Sequence, residues 1–284
     1  MPLEIALSDT SLSDCADLRQ KTIKIGQIAR AIAVFKVDSV VIYQTNSEGK
    51  IRRDLNLLEK LLRYMDTPQY LRRTAFPMAP SLKYAGILPP LRMQSHPIAQ
   101  SMKSVSNGDF RWGIQAGPGK VDIGLNELID CDESISNRDP TLFKLRWVDS
   151  AIQLSVVERS STERYFGFDV KVTDSLIKHL ENSSSKTRIA LSRTGVPYSS
   201  IESEIKSVVG NTRDVIAIIG GPRRGIRELF PKEKDTLKEF IDYWVNTIDD
   251  QGTETVRVEE AVWASLAMFN SSFGPDVTKP GYFK

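Results

Sequence analysis

Apolar positions follow two rhythms along this chain. From Leu18 to Phe35, the residues Ile25, Ile28, Ala29, Ile32 and Phe35 recur at three- and four-residue steps, which predicts a helix with one buried face. Residues 54–73 predict a second helix, broken before Pro68. The stretches "LEIAL" at the start and "DSVVIY" at 38–43 read as strands, and the second is continuously apolar, as a strand buried on both faces of a parallel sheet is. The same alternation returns at 187. "TRIALS" is a strand, and Ile201, Ile205, Val208 and Val209 mark a helix. "DVIAIIG" at 214–220 is the most hydrophobic strand, "PRRGIRELF" begins a short helix and "FIDYWVNTI" at 240–248 is a last strand. Val258, Ala261, Val262, Ser265, Leu266 and Phe269 then mark a closing helix.

Between these two α/β pieces the pattern changes. Residues 76–98 are rich in proline and read as an extended connection. "DFRWGIQA", "VDIGL", "TLFKLRWV", "AIQLSVVE" and "RYFGFDVKV" follow as short strands separated by turns such as "GPGK", which predicts a small β-barrel, most simply of the oligonucleotide-binding type. Phe110, Trp112, Trp147, Tyr165 and Phe168 either fill that barrel or stack on bases. The expected organisation is one α/β parallel-sheet domain from residues 1–79 and 181–284, interrupted by a barrel at 80–180.

Composition narrows the class. Of 284 residues, 40% are hydrophobic and 26% charged, the balance of a globular protein. No apolar run approaches the roughly 18 residues of a membrane span, and the first residues lack the pattern of a secretory signal. Cys15 and Cys131 have no partners at zinc spacing. The expectation is a cytoplasmic protein with no metal and no membrane partner. The net charge of +2 is uninformative, but arginines cluster at Arg52–Arg53, Arg63, Arg72–Arg73 and Arg223–Arg224 with Arg227.

Candidate chemistry concentrates after three strands. "SRTG" (192–195), "GGPRRG" (220–225) and "NTIDDQGTET" (246–255) each bring glycine and polar turn residues to the carboxyl end of a strand, where open α/β sheets bind ligands. "IGGPRRG" lacks the lysine–serine/threonine ending of a P-loop and the spacing of a dinucleotide fingerprint. The two histidines, His96 and His179, lie near no nucleophile motif, and no HExxH occurs. A reaction that needs neither metal nor histidine fits better. Methyl transfer from a sulfonium is one, because the protein then mainly positions the acceptor and handles one proton. Arg257 stands at the start of the closing helix, where positive charge opposes the dipole and Glu259 and Glu260 offset it.

Six motifs in order, "KIGQIARAIAVFKVDSVVIY" (24–43), "LPPLR" (88–92) with "HP" (96–97), "YFGFDVKV" (165–172), "ALSRTG" (190–195), "IGGPRRGIRELF" (219–230) and "VNTIDDQGTETVRVEEAVWASLA" (245–267), resemble the SPOUT superfamily of S-adenosylmethionine-dependent RNA methyltransferases. The likeness is to the archaeal and eukaryotic branch with an inserted oligonucleotide-binding barrel, the RNA uridine N3-methyltransferases. It implies a trefoil knot, a homodimer and S-adenosyl-L-methionine held by Thr194, Gly195, Gly220, Gly221, Asn246, Thr247, Ile248, Gly252, Thr255 and Val256. It implies that Arg257 faces the pocket or the partner chain. Arg30 matches an arginine that activates the acceptor in the ribose-methylating branch; it would bind phosphate or stabilise an anionic acceptor oxygen. The implied substrate is uracil N3 in ribosomal RNA. A ribose 2′-hydroxyl, another base nitrogen, or a non-catalytic RNA-binding scaffold remain the alternatives.

Overall fold

A computed structural model describes residues 3–45, 50–98, 101–210 and 214–273. In chain order the strands are β1 (Leu3–Ser8), β2 (Ser39–Tyr43), β3 (Phe110–Gly117), β4 (Lys120–Asp122), β5 (Ile129–Asp130), β6 (Thr141–Val148), β7 (Ala151–Val156), β8 (Asp169–Thr173), β9 (Thr187–Pro197), β10 (Val215–Ile219) and β11 (Tyr243–Asn246). The α-helices are α1 (Leu18–Val34), α2 (Lys50–Asp66), α3 (Arg72–Ala75), α4 (Leu176–Glu181), α5 (Tyr198–Val209), α6 (Ile226–Leu229), α7 (Lys234–Phe240) and α8 (Val258–Phe273). Two units result: residues 1–59 with 168–284, and residues 60–167. The sequence placed the inserted segment at 80–180. The division instead cuts α2, a helix whose composition gives no sign of a boundary.

The first unit is built on six parallel strands in the order β11-β9-β10-β1-β2-β8. Its centre is where the sequence is continuously apolar. Every residue of β1 and β10 is buried, and β2 is buried from Val40 to Tyr43. Each such aliphatic side chain contributes roughly 1.5–3 kcal/mol by leaving water. The edge strands are less committed: β8 alternates in its first residues, with Val170 buried between exposed Asp169 and Lys171. That alternation explains a difference from the expectation, which gave "RYFGFDVKV" to the barrel. Its strand pairs with β2 in the parallel sheet instead.

At the opposite edge β9 does something a sequence pattern does not reveal. β11 pairs with Ile189 and Ala190, then resumes at Val196 and Pro197, so residues 191–195 leave the register. Gly195 makes this possible: a Cβ there would lie 2.6 Å from the Val245 carbonyl carbon and 2.7 Å from its nitrogen. The excursion carries "SRTG" out beyond the sheet's carboxyl edge.

Below the sheet, at the start of β1, buried Glu4 is enclosed by polar partners. His179 Nε2 lies 2.5 Å from one carboxylate oxygen; Lys186 Nζ (3.1 Å) and Ser39 Oγ (2.9 Å) donate to the other. Burial alone would raise the Glu4 pKa, but the His179 hydrogen bond and the Lys186 charge outweigh it and take the pKa down to about 2.

Helix α1 starts at Asp17, whose side chain accepts from the Gln20 amide at 2.8 Å. Helix α8 begins just after Arg257, whose amide donates to Glu260 Oε2 at 2.9 Å; this is the half of a capping box in which the third helical residue reaches back to the amide that precedes the helix. Phe35, following α1, meets Trp263 of α8 edge to face at 5.5 Å.

The second unit holds an antiparallel sheet in the order β5-β4-β3-β6-β7. Val121, Ile123, Phe143, Leu145 and Ile152 form its buried core. Its edge strands β5 and β7 approach within 8 Å between Cα atoms, but no hydrogen-bonded ladder joins them among the described residues. Gly113 lets the core close, since a Cβ there would meet Val121, Ile123 and Phe143 within 2.9 Å. On β6 the alternation turns Lys144 and Arg146 outward. The aromatic candidates are placed unevenly. Phe168, expected in the barrel, is buried and belongs to the first unit; in the second, Trp147 donates its indole N–H to the Val105 carbonyl (2.9 Å), and Phe110 and Trp112 are half-buried beside Phe166.

Candidate active site

The ends of β9, β10 and β11 converge, as the three polar loops suggested. Thr194 from the β9 excursion, Gly220 and Gly221 after β10, and Asn246, Thr247, Ile248, Thr255 and Val256 after β11 line one cleft of about 250 Å³. That volume lies just under the range of roughly 300–1,000 Å³ usual for small-molecule pockets, so a nucleoside-sized ligand there is only partly enclosed.

Hydrogen bonds tie the loops together. Asn246 Nδ2 donates to the Arg193 carbonyl (3.1 Å), and its Oδ1 accepts from the Ile248 amide (3.0 Å). Arg193 donates to the Glu254 carbonyl at 3.0 Å. Gln251 Nε2 donates to the carbonyls of Thr253 (2.7 Å) and Glu254 (3.2 Å), and Thr247 shares a hydrogen bond with Ser265 of α8 (2.8 Å). The last loop is thus held at both ends, to the β9 excursion and to α8. Under the β10 end, the buried Tyr43 hydroxyl donates to the Ile219 carbonyl (2.7 Å), and burial raises its pKa; it is a structural donor.

Two sequence-expected residues do not line this cleft. Gly195 is taken up by the crossing over Val245, as above. Gly252 is exposed, with open space where a Cβ would be. The reason for glycine elsewhere also differs from the expectation. A Cβ on Gly220 would lie 3.0 Å from Gly225 Cα and from the Ile226 nitrogen, and one on Gly221 would meet the Thr10 side chain. These glycines serve the tight turn, closed by the Gly221 amide on the Arg224 carbonyl (2.9 Å), before they serve any ligand.

A second cleft, of about 720 Å³, opens between α1, α8 and the loops. It shares Pro222, Arg223, Thr255 and Val256 with the first. Arg257 lies on its wall. Arg30, half-buried on α1, lies on the wall of neither. The wall instead carries Lys24 and Glu259, which are 3% and 8% exposed. Lys24 Nζ bonds both Asp14 carboxylate oxygens (2.7 and 2.8 Å) and lies 3.1 Å from Glu259 Oε2. The last contact is an ion pair off the hydrogen-bonding direction, and Glu259 Oε2 makes no hydrogen bond. Neighbouring Cys15 is buried, which pushes its thiol up to about 11. The sequence reading gave Lys24 no role, and Glu259 only that of offsetting the Arg257 charge at the start of α8. The available signal was Lys24 itself, beside Ile25 and one turn before Ile28 on the inward face of a helix. Among the described residues no group of three or more His, Cys, Asp or Glu is placed to hold a metal, and no helix is long and apolar enough to cross a membrane.

The donor set of the first cleft suits a nucleoside-bearing ligand. Hydroxyls of Ser192 and Thr194, the Asn246 amide and backbone groups alternate with Leu191, Ile219, Ile248 and Val258. Comparison with known proteins identifies the family. Residues 2–269 match the profile of a family described as "Putative RNA methyltransferase". An uncharacterised protein of Halobacterium salinarum is 32% identical, over 94% of this chain and 98% of its own length. A human protein named 28S rRNA (uridine-N(3))-methyltransferase is 26% identical, over 93% of this chain and 77% of its own. Among solved structures, the SpoU methyltransferase AviRb from Streptomyces viridochromogenes aligns over 96% of this chain and 60% of that one, at 7% identity and a TM-score of 0.38, too slight a likeness to decide topology.

Proposed function

Because the chain belongs to this RNA methyltransferase family, we propose that it transfers a methyl group from S-adenosyl-L-methionine to N3 of a uracil in ribosomal RNA. The observation that carries the reading is the convergence of Thr194, Gly220 and Gly221, and Asn246 to Ile248 on one cleft at the carboxyl edge of a parallel sheet. Bound there, the cofactor supplies an already activated methyl on a sulfonium. The protein's part is then orientation and charge. Asn246 and the Ser192 and Thr194 hydroxyls hold polar edges, and the apolar strand ends cover the flat surfaces. The choice of N3 draws on the human relative's name.

Three finer readings belong with this one. The loop from Asn246 to Arg257, tied to Arg193 by two hydrogen bonds, is the crossing of a knotted C-terminal segment. Ile23 (39% exposed) and Val34 (45%) of α1, with Trp263 (36%) of α8, form the apolar surface of a homodimer. The curled sheet of the second unit is an oligonucleotide-binding barrel that grips RNA through Lys144 and Arg146, with a salt-dependent affinity. Titration calorimetry with S-adenosylmethionine tests the core of the proposal: the enzyme binds one equivalent per chain, and a non-catalytic scaffold of the same fold binds none.

A further inference from the structure

We propose that the second cleft seats the acceptor pyrimidine as an extruded nucleotide, and that Lys24 stabilises the negative charge its carbonyl edge gains when N3 loses its proton. This rests on the methyltransferase reading above and names the residue that serves the acceptor.

The placement comes first. The second cleft shares Pro222, Arg223, Thr255 and Val256 with the first, so a ring in one borders a ligand in the other. Arg223 and Arg257 are exposed on its lining, where they meet the phosphates on either side of a nucleotide turned out of its stack.

The charge arrangement comes second. Ions out of water are costly unless matched, and this set is matched unevenly. One ammonium faces two carboxylates, Asp14 at 2.7 and 2.8 Å and Glu259 at 3.1 Å, and Glu259 Oε2 is buried without a hydrogen bond. Asp14 and Cys15 approach from the loop before α1, Glu259 from α8, and Arg223 and Arg257 from the rim. By itself the clamp is one positive charge against two negative; with Arg223 and Arg257 the lining carries three positive and two negative of these side chains, a net +1, and the clamped ammonium needs no reorganisation to act. Arg30, which the sequence resemblance put forward, reaches neither cleft wall.

The chemistry suits a uracil. Its N3–H lies between two carbonyls, and the proton lost to solvent leaves negative charge shared over N3, O2 and O4. The Lys24 ammonium beside one carbonyl oxygen lowers the cost of that anion. The N3 lone pair then forms the new N–C bond, and the methyl–sulfur bond breaks with its electrons on sulfur, leaving a neutral thioether.

The test uses the full chain and 5-fluorouridine 5′-monophosphate, whose N3 ionisation is visible by ultraviolet difference spectroscopy. Bound to the wild type, the ring's apparent pKa falls by about one unit, a tenfold shift in the ionisation equilibrium. Lys24→Met abolishes the shift and Lys24→Arg keeps most of it. Glu259→Gln, which removes a competing negative charge, enlarges it. A merely structural ion pair would make Lys24→Met and Glu259→Gln act in the same direction, and that result overturns the proposal, as does a full shift in Lys24→Met or no binding of the probe to the wild type. Calorimetry with S-adenosylmethionine on the same samples separates the two readings. Cofactor binding without a ring shift removes the role of Lys24 alone, whereas no cofactor binding by the wild type removes the function it rests on.

Discussion

Replacing Glu4 by glutamine keeps the shape of a buried side chain and removes its charge, leaving Lys186 and His179 facing an amide. The magnitude follows from the displaced pKa. Between the ordinary 4.5 and the folded-state value of about 2 lie 2.5 units, and at about 1.4 kcal/mol per unit the carboxylate contributes about 3 kcal/mol at neutral pH. A depressed carboxylate pKa stabilises the fold above the unfolded value and ceases to as the group protonates. The contribution is therefore complete above about pH 4.5 and disappears as pH falls toward 2. Urea unfolding of the wild type and Glu4→Gln, followed by circular dichroism between pH 7 and pH 2.5, measures this. The difference in stability should be about 3 kcal/mol at pH 7 and shrink steadily below pH 4.5. A gap that stays constant across that window would refute the reasoning, since other carboxylates titrate equally in both proteins.

Gly221→Leu drives a side chain into Thr10 and the turn beneath the first cleft; it should reduce S-adenosylmethionine affinity at least tenfold by calorimetry, while Gly252→Leu, pointing into open space, leaves it within twofold. Gly195→Val places atoms against the Val245 backbone, so it should lower unfolding stability by about 1–3 kcal/mol and loosen β11 in hydrogen exchange. Glu260→Ala removes the acceptor for the Arg257 amide and should cost about 0.5–1.5 kcal/mol, read as a lower denaturation midpoint with cofactor binding retained in the folded protein.

The parallel core was readable because β10 is continuously apolar, β2 is so after Ser39 and β1 is so apart from Glu4 and Ser8, a pattern that suits strands covered on both faces. The loops that line the first cleft were readable for a related reason: polar, glycine-bearing turns follow three strands of this sheet. What the pattern hid was tertiary. Val170 alternates with exposed neighbours because β8 lies at a sheet edge, and an edge strand of a parallel sheet looks like a barrel strand. The β9 excursion depends on a backbone crossing at Gly195, which no local periodicity encodes. Helix α7 (Lys234–Phe240) was missed because its charged sequence buries little beyond Leu237. Lys24 and Glu259 are distant in sequence, and their pairing exists only once α1 meets α8.

Methylation of uracil N3 in RNA by this chain is the proposal on which the roles of both clefts depend. Its most direct test incubates the purified protein with methyl-labelled S-adenosylmethionine and ribosomal RNA from a strain lacking the gene, then digests the RNA to nucleosides and identifies the labelled one by mass spectrometry. The expected product is labelled 3-methyluridine, formed at one site and in lower yield with Gly221→Leu at limiting cofactor. Label on a ribose or on another base would contradict the choice of acceptor, and RNA that stays unlabelled would contradict the claim itself.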